Sequence, residues 1–228
     1  MRRRSRGFNR VNMFPYPRAK ERGRMVERQI EARGIHNPSV LAVMREIPRH
    51  VFIPPPYDQS AYDDNPLPIG NGQTISQPYI VALMTELLRT EPSDNVLEIG
   101  AGCGYQAAIL SQLVHRLTTM ERIPALAILA RNNLTSLEIQ NVEVIEGDGT
   151  QGYLQNAPYN GIMVTAATPE IPKTLTDQLS DGGRLVAPVG GRDIQELVTL
   201  EKQGDRMISE YHGGVRFVPL IGNYGWEN

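Results

Sequence analysis

The chain has 228 residues, 40% hydrophobic and 21% charged, which suits one globular α/β domain with an appendage or two small domains. No apolar run nears the roughly eighteen residues of a membrane span, and no secretory apolar core follows the N-terminus. One cysteine, Cys103, excludes an internal disulfide and points to a reducing, cytoplasmic setting; with four scattered histidines it leaves no metal-ligand spacing.

The net charge of −2 hides an asymmetry, with +8 over residues 1–24 and −10 over the rest. "MRRRSRGFNR" has little to bury, so residues 1–24 are expected to form a basic, disordered tail. Met25 opens the first helical pattern, "MVERQIEAR", and is a candidate start site. Gly34 ends that helix, and Asn37 with Pro38 reads as the N-cap and first turn of the next. There Val40, Leu41, Val43, Met44 and Ile47 recur at helical spacing before Pro48 and the stiff linker "FIPPPYD".

"LPIGNGQTISQPY" follows, a loop crowded with glycine, amides and hydroxyls. Ser76 stands at the expected N-cap of a helix over "QPYIVALMTELL", with Pro78 in its first turn. From residue 95 strands alternate with helices. "NVLEIG", "RLTTME", "VEVIEGD", "YNGIMVTAA" and "GRLVAPVG" read as strands, separated by helices over "YQAAILSQLV", "PALAILARNNL" and "EIPKTLTDQL". "ELVTLEK" and "VRFVPLIG" have no helix between them and read as antiparallel neighbours. The expected fold is α/β: a doubly wound, mostly parallel Rossmann-like sheet behind an N-terminal helical subdomain, with an antiparallel C-terminal strand. The expected division is tail 1–24, helical and loop subdomain 25–76, and ligand-binding core 77–228.

The first strand of the core runs into Gly100-Ala-Gly102-Cys-Gly104, where a doubly wound sheet binds its ligand. Tyr105 replaces the third glycine of a dinucleotide fingerprint. Glu121 ends the second strand, where a carboxylate can accept both ribose hydroxyls, and Asp148 ends the third, within reach of an adenine amino group. With Glu98 beside the loop, three acids and no nearby lysine favour a phosphate-free, cationic ligand such as S-adenosylmethionine. An NAD-dependent oxidoreductase would place two phosphates there. The arginine-rich tail alone suggests RNA, and the acidic remainder opposes it.

Together "LPIGNGQTISQPY", "VLEIGAGCGYQ", "MERI", "EGDG", "VTAATPEIP", "LSDGGRLVAPVG" and "VRFVPL" resemble the protein-L-isoaspartate (D-aspartate) O-methyltransferase family, a branch of the class I methyltransferases. The resemblance covers roughly residues 25–226 and leaves the tail without a role. It implies methyl transfer from S-adenosylmethionine, leaving S-adenosylhomocysteine, to the free α-carboxyl of L-isoaspartyl and D-aspartyl residues in damaged proteins and peptides. It makes Ser76 the active-site hydroxyl and Gln73, Thr74, Ile75 and Ser76 a wall over the donor. Gly100, Gly102 and Gly104 would shape its methionine end, Glu121 would hold the ribose, Asp148 and Gly149 would meet adenine, and Glu98, Cys103 and Arg122 would complete the donor site. Cys103 stands where the family often has serine, a stronger hydrogen-bond donor. Thr74 and Ser76 would meet the peptide; independently of the resemblance, the apolar extended run "VRFVPL", with Val218, is a candidate edge for its main chain, and Arg216 is a candidate for a substrate carboxylate by charge alone. A carboxylate nucleophile is ionised at neutral pH, so the lack of histidine in these motifs fits the reaction. The implied enzyme is a cytoplasmic monomer without metal, membrane or nucleic-acid partner.

Overall fold

A computed structural model describes residues 17–227. Most of the basic stretch lies outside them, but its end does not: α1 (Ala19–Met25) is helical. The expected tail is therefore too long, and the reason is what its arginines do. Arg22 is buried and donates from Nε to the Arg45 carbonyl at 2.5 Å and from Nη1 to Tyr62 Oη at 3.3 Å. Arg18 pairs with Glu21 and donates to the carbonyls of Asp58 and Gln59. Arginine stems cover apolar surface while their forks satisfy carbonyls, so charge alone misjudged this segment. The helix widens into a π-turn over Val26–Ile30, tightens over Glu31–Arg33, and stops at Gly34 with φ 96°.

Asn37 caps α2 (Pro38–Glu46), its Oδ1 accepting from the Ser39 and Val40 amides at 2.9 and 3.2 Å. The opening loop contains a small antiparallel hairpin, β1 (Leu67–Gly70) with β2 (Gln73–Ile75), before α3 (Pro78–Leu88). Buried Met25, Ile30, Val40 and Met44 share one core with Val81, Met84 and Tyr105, so the N-terminal helices pack directly onto the sheet domain.

The sheet domain comprises β3 (Asn95–Ile99), α4 (Tyr105–Ser111), β4 (Arg116–Glu121), α5 (Pro124–Ser136), β5 (Val142–Glu146), β6 (Tyr159–Val164), α6 (Lys173–Thr176), β7 (Leu179–Gly190), β8 (Gln195–Gln203) and β9 (Arg206–Val215). The seven strands are ordered β5-β4-β3-β6-β7-β8-β9, parallel through β7 and antiparallel beyond it. The chain winds outward from β3 to β5, then returns to lay β6 on the other side of β3. This reversal opens a crevice at the carboxyl ends of β3 and β6.

Two expected elements differ. The segment "EIPKTLTDQL" forms only the single turn of α6. The antiparallel partner of β8 is β9, reached through a tight turn with Gly204 at φ 59°, and not "VRFVPLIG". Nearly all of β9 is exposed, so its sequence carries no alternation to betray it. The apolar run beyond Val215 instead crosses the crevice: Ala167 donates to the Val218 carbonyl at 2.8 Å and Leu220 donates to the Ala167 carbonyl at 2.7 Å.

Candidate active site

The crevice holds two adjoining cavities. The first is lined by Gln73, Thr74, Ile75 and Ser76 on one side and by Gly100, Gly102, Cys103, Glu121, Arg122 and Gly149 on the other. The second is lined by Thr74, Ser76, Arg216 and Val218, with Pro66, Gln77, Ile80, Ile194 and Phe217 around them. The two share Thr74, Ser76, Thr165 and Val218. The loop "LPIGNGQTISQPY" is thus a partition between two binding spaces.

Ser76 does not cap α3. The N-cap is Gln77, with no side-chain cap bond, and among the described residues the Ser76 hydroxyl makes no hydrogen bond. Asp64, thirteen residues upstream of Gln77, holds the start of the helix instead. It accepts from Gln77 Nε2 at 2.6 Å, from the Tyr79 amide at 3.4 Å and from Arg33 Nη1 at 2.6 Å. The Arg33 guanidinium also lies 3.5 Å from the centre of the Tyr79 ring. A tertiary contact took over the local capping role and left the serine hydroxyl free.

Glu121 is buried, and its carboxylate is shared between two backbone donors, Gly102 N to Oε2 and Ile123 N to Oε1, both at 2.9 Å. A carboxylate offers about four lone-pair directions, so two remain for a diol. The glycines make room: a Cβ on Gly100, whose φ is 101°, would stand 2.5 Å from Thr165 Oγ1, and one on Gly149 would stand 2.5 Å from Ile99 Cγ2. This lining, a buried carboxylate with unused acceptor capacity beside open backbone, fits a ligand that bears hydroxyl groups.

Three expected residues do not line the cavity. Gly104 is the N-cap of α4 at φ 88° and packs against Ala130, so its glycine serves the helix–helix approach. Asp148 turns inward, accepting from the Thr150 amide and hydroxyl at 2.9 and 2.7 Å and from the Asn223 amide at 2.8 Å. Those bonds hold its carboxyl below the usual range against the upward push of burial. Glu98 lies inside the sheet, accepting from Thr119 Oγ1 at 2.7 Å, and burial raises its carboxyl to about 8. The expected cluster of three negative charges thus reduces to Glu121 at the cavity wall.

The buried Glu98 makes stability depend on pH. Its folded value of about 8 exceeds the ordinary 4.5, so between these the folded chain keeps a proton that the unfolded chain releases. That stabilising contribution is complete below 4.5 and is lost as pH rises through 8. Glu98→Gln is expected to flatten the decline, gaining stability over the native chain most at about pH 8 in urea unfolding and little at about pH 4.

Sequence reasoning passed over Thr165, which touches both cavities. It follows β6 at the switch point, and the rule that ligands gather at strand ends would have found it. Its Oγ1 donates to the Gly100 carbonyl at 2.7 Å, with the Ile99 carbonyl 3.0 Å away. Val81 and Met84 of α3 are buried and also line the first cavity. Cys103 is buried, and its thiol is pushed up to about 11, so it is neutral and no nucleophile.

This mostly parallel sheet and its glycine turn define the class I S-adenosylmethionine-dependent methyltransferase fold. The model of the protein-L-isoaspartate(D-aspartate) O-methyltransferase family matches residues 20–225, and the chain belongs to that family. It is 66% identical over 214 residues to the protein-L-isoaspartate O-methyltransferase of Methanoregula boonei, covering 94% of this chain and 99% of the relative. It is 60% identical to that of Methanospirillum hungatei, covering 92% and 97%. A solved protein-L-isoaspartate O-methyltransferase superposes with a TM-score of 0.81 at 29% identity, covering 90% of this chain and 67% of the other. A Plasmodium falciparum protein assigned as a beta-aspartate methyltransferase, in complex with S-adenosyl-L-homocysteine, matches in fold at 0.76 and 24% identity, covering 89% and 99%. The enzyme transfers a methyl group from S-adenosylmethionine to the free α-carboxyl of L-isoaspartyl and D-aspartyl residues, a protein-repair reaction.

Proposed function

We propose that the cavity bearing Glu121 takes the methyl donor, that the cavity bearing Arg216 takes the damaged peptide, and that transfer occurs where they meet. The carrying observation is the shared partition of Thr74, Ser76, Thr165 and Val218. Residues 25–76 then form the cover, and 77–228 the donor-binding core. When bound, S-adenosylmethionine supplies an electrophilic methyl group. The chain supplies position. Gly100, Gly102 and Gly149 let the backbone approach, Glu121 accepts from the ribose, and Gln73–Ser76 exclude water. Holding reactants in line contributes up to about 7–11 kcal/mol to such a step.

Of the shared hydroxyls, Thr165 has already committed its proton to a carbonyl, whereas Thr74 and Ser76 make no hydrogen bond among the described residues. Ser76 is only half-buried and faces both spaces, so its Oγ is the donor that orients the substrate carboxylate. Arg216, exposed on the rim, draws substrate carboxylates toward the second cavity. Its neighbours Phe217 and Val218 offer an extended surface for peptide main chain. One chain carries both cavities, so the catalytic unit is a monomer; an ionised carboxylate requires neither metal nor general base. The lone buried thiol suits the cytoplasm, and among the described residues no helix is long and apolar enough to cross a membrane.

Ser76→Ala tests the assignment with an isoaspartyl peptide beside its normal-aspartyl twin. Loss of one charge-assisted hydrogen bond should lower kcat by about 10- to 100-fold, with residual esterification confined to the isoaspartyl peptide. Complete loss of turnover would mark a covalent serine, and an unchanged rate would remove Ser76 from the site.

A further inference from the structure

Arg49 is fully buried in the short turn Arg49–Phe52, and the sequence offers no reason for a cation there. Its Nε donates to the Ala61 carbonyl at 2.9 Å, but Nη1 and Nη2 are buried without a partner. Its four terminal N–H groups are thus desolvated without an acceptor at ordinary hydrogen-bond distance, an arrangement tolerated only where something nearby, here Tyr105, compensates the charge. The guanidinium stands 5.0 Å from the centre of the Tyr105 ring, which Phe52 meets edge-on at 5.3 Å. Tyr105 is the first residue of α4, and with Cys103 it lines the donor cavity just beyond the glycine turn. Arg49's charge reaches this wall, opposing the upward push of burial on both the Cys103 thiol and the Tyr105 hydroxyl.

On the proposed reading, the glycine end of the cavity receives the amino-acid moiety of the donor, and that moiety carries a carboxylate. Glu121 and the exposed Arg122 beside it belong to the ribose end. We propose that Arg49 is the positioning residue for the donor's α-carboxylate, supplying from behind Tyr105 the positive charge that no other described residue brings to the glycine end.

The test separates this from a structural role. S-adenosylhomocysteine carries the amino-acid moiety, whereas 5′-methylthioadenosine has the same adenosine and thioether without it. Calorimetric titration of both into the native enzyme, Arg49→Gln and Arg49→Lys is expected to show S-adenosylhomocysteine weakened about 10- to 100-fold by Gln and less by Lys, with 5′-methylthioadenosine unchanged. Arg49→Lys keeps a buried cation and is the variant that decides the matter should Arg49→Gln not fold. Parallel weakening of both ligands, or no change in either, would overturn the proposal. If the native enzyme bound neither ligand, the donor-cavity assignment itself would fall instead.

Discussion

Glu121→Ala is expected to weaken S-adenosylhomocysteine about a thousandfold, because in the proposed donor site it removes the acceptor of both ribose hydroxyls, each a charge-assisted bond worth about 1.5–3 kcal/mol. The same change orphans the amides of Gly102 and Ile123, which both donate to this carboxylate at 2.9 Å. Two part-buried N–H groups without partners cost at most about 1–3 kcal/mol each, so urea unfolding should show a loss of at most about 2–6 kcal/mol in the ligand-free enzyme. Glu121→Gln separates the two effects. Its amide oxygen can serve one of the backbone donors, while its NH2 meets the other as a second donor. Binding should fall between native and Ala, and stability should fall nearly as far as in Ala. Reduced stability with undiminished ligand affinity would show that the carboxylate only staples the glycine turn.

That double duty explains what was legible in the sequence and what was not. Glu121 could be found because strand order is written in local signals. "RLTTME" follows "NVLEIG" and one helix, and the rule for doubly wound sheets places an acid at its end beside the ribose. Glu98 and Asp148 satisfied the same pattern and failed on orientation. A carboxylate on an interior strand points into the sheet packing or out of its end according to register, and β3 pairs Glu98 with Thr119. Asp148 was claimed by the chain end, whose Asn223 amide comes from seventy-five residues away. Ser76 shows the converse. Its local capping signal was sound, yet Asp64 supplied the tertiary alternative and moved the helix start by one residue. Local chemistry therefore identified the element ends, and long-range partners decided which side chains at those ends remained free to act.

The glycine turn is where local and long-range requirements coincide, so Gly100→Ala should be as damaging as any change at the ribose. At φ 101° an L-residue is strained whatever the space around it, and the new Cβ would stand 2.5 Å from Thr165 Oγ1. Thr165 cannot simply step aside, because that hydroxyl donates to Gly100's own carbonyl at 2.7 Å and the side chain belongs to the wall shared by both cavities. The clash thus moves the partition on which alignment depends. Displacing reacting groups by about 1 Å costs about 100-fold, and at least that loss is expected in kcat/KM, with S-adenosylhomocysteine affinity falling alongside. Backbone strain should lower stability by about 1–3 kcal/mol. A double-mutant cycle divides the causes. Thr165→Ala removes the clashing oxygen, so in the Gly100→Ala background it should restore part of the lost affinity although it is harmful alone. Strictly additive losses would place the whole effect in the backbone at residue 100 and remove Thr165 from the alignment of the two substrates.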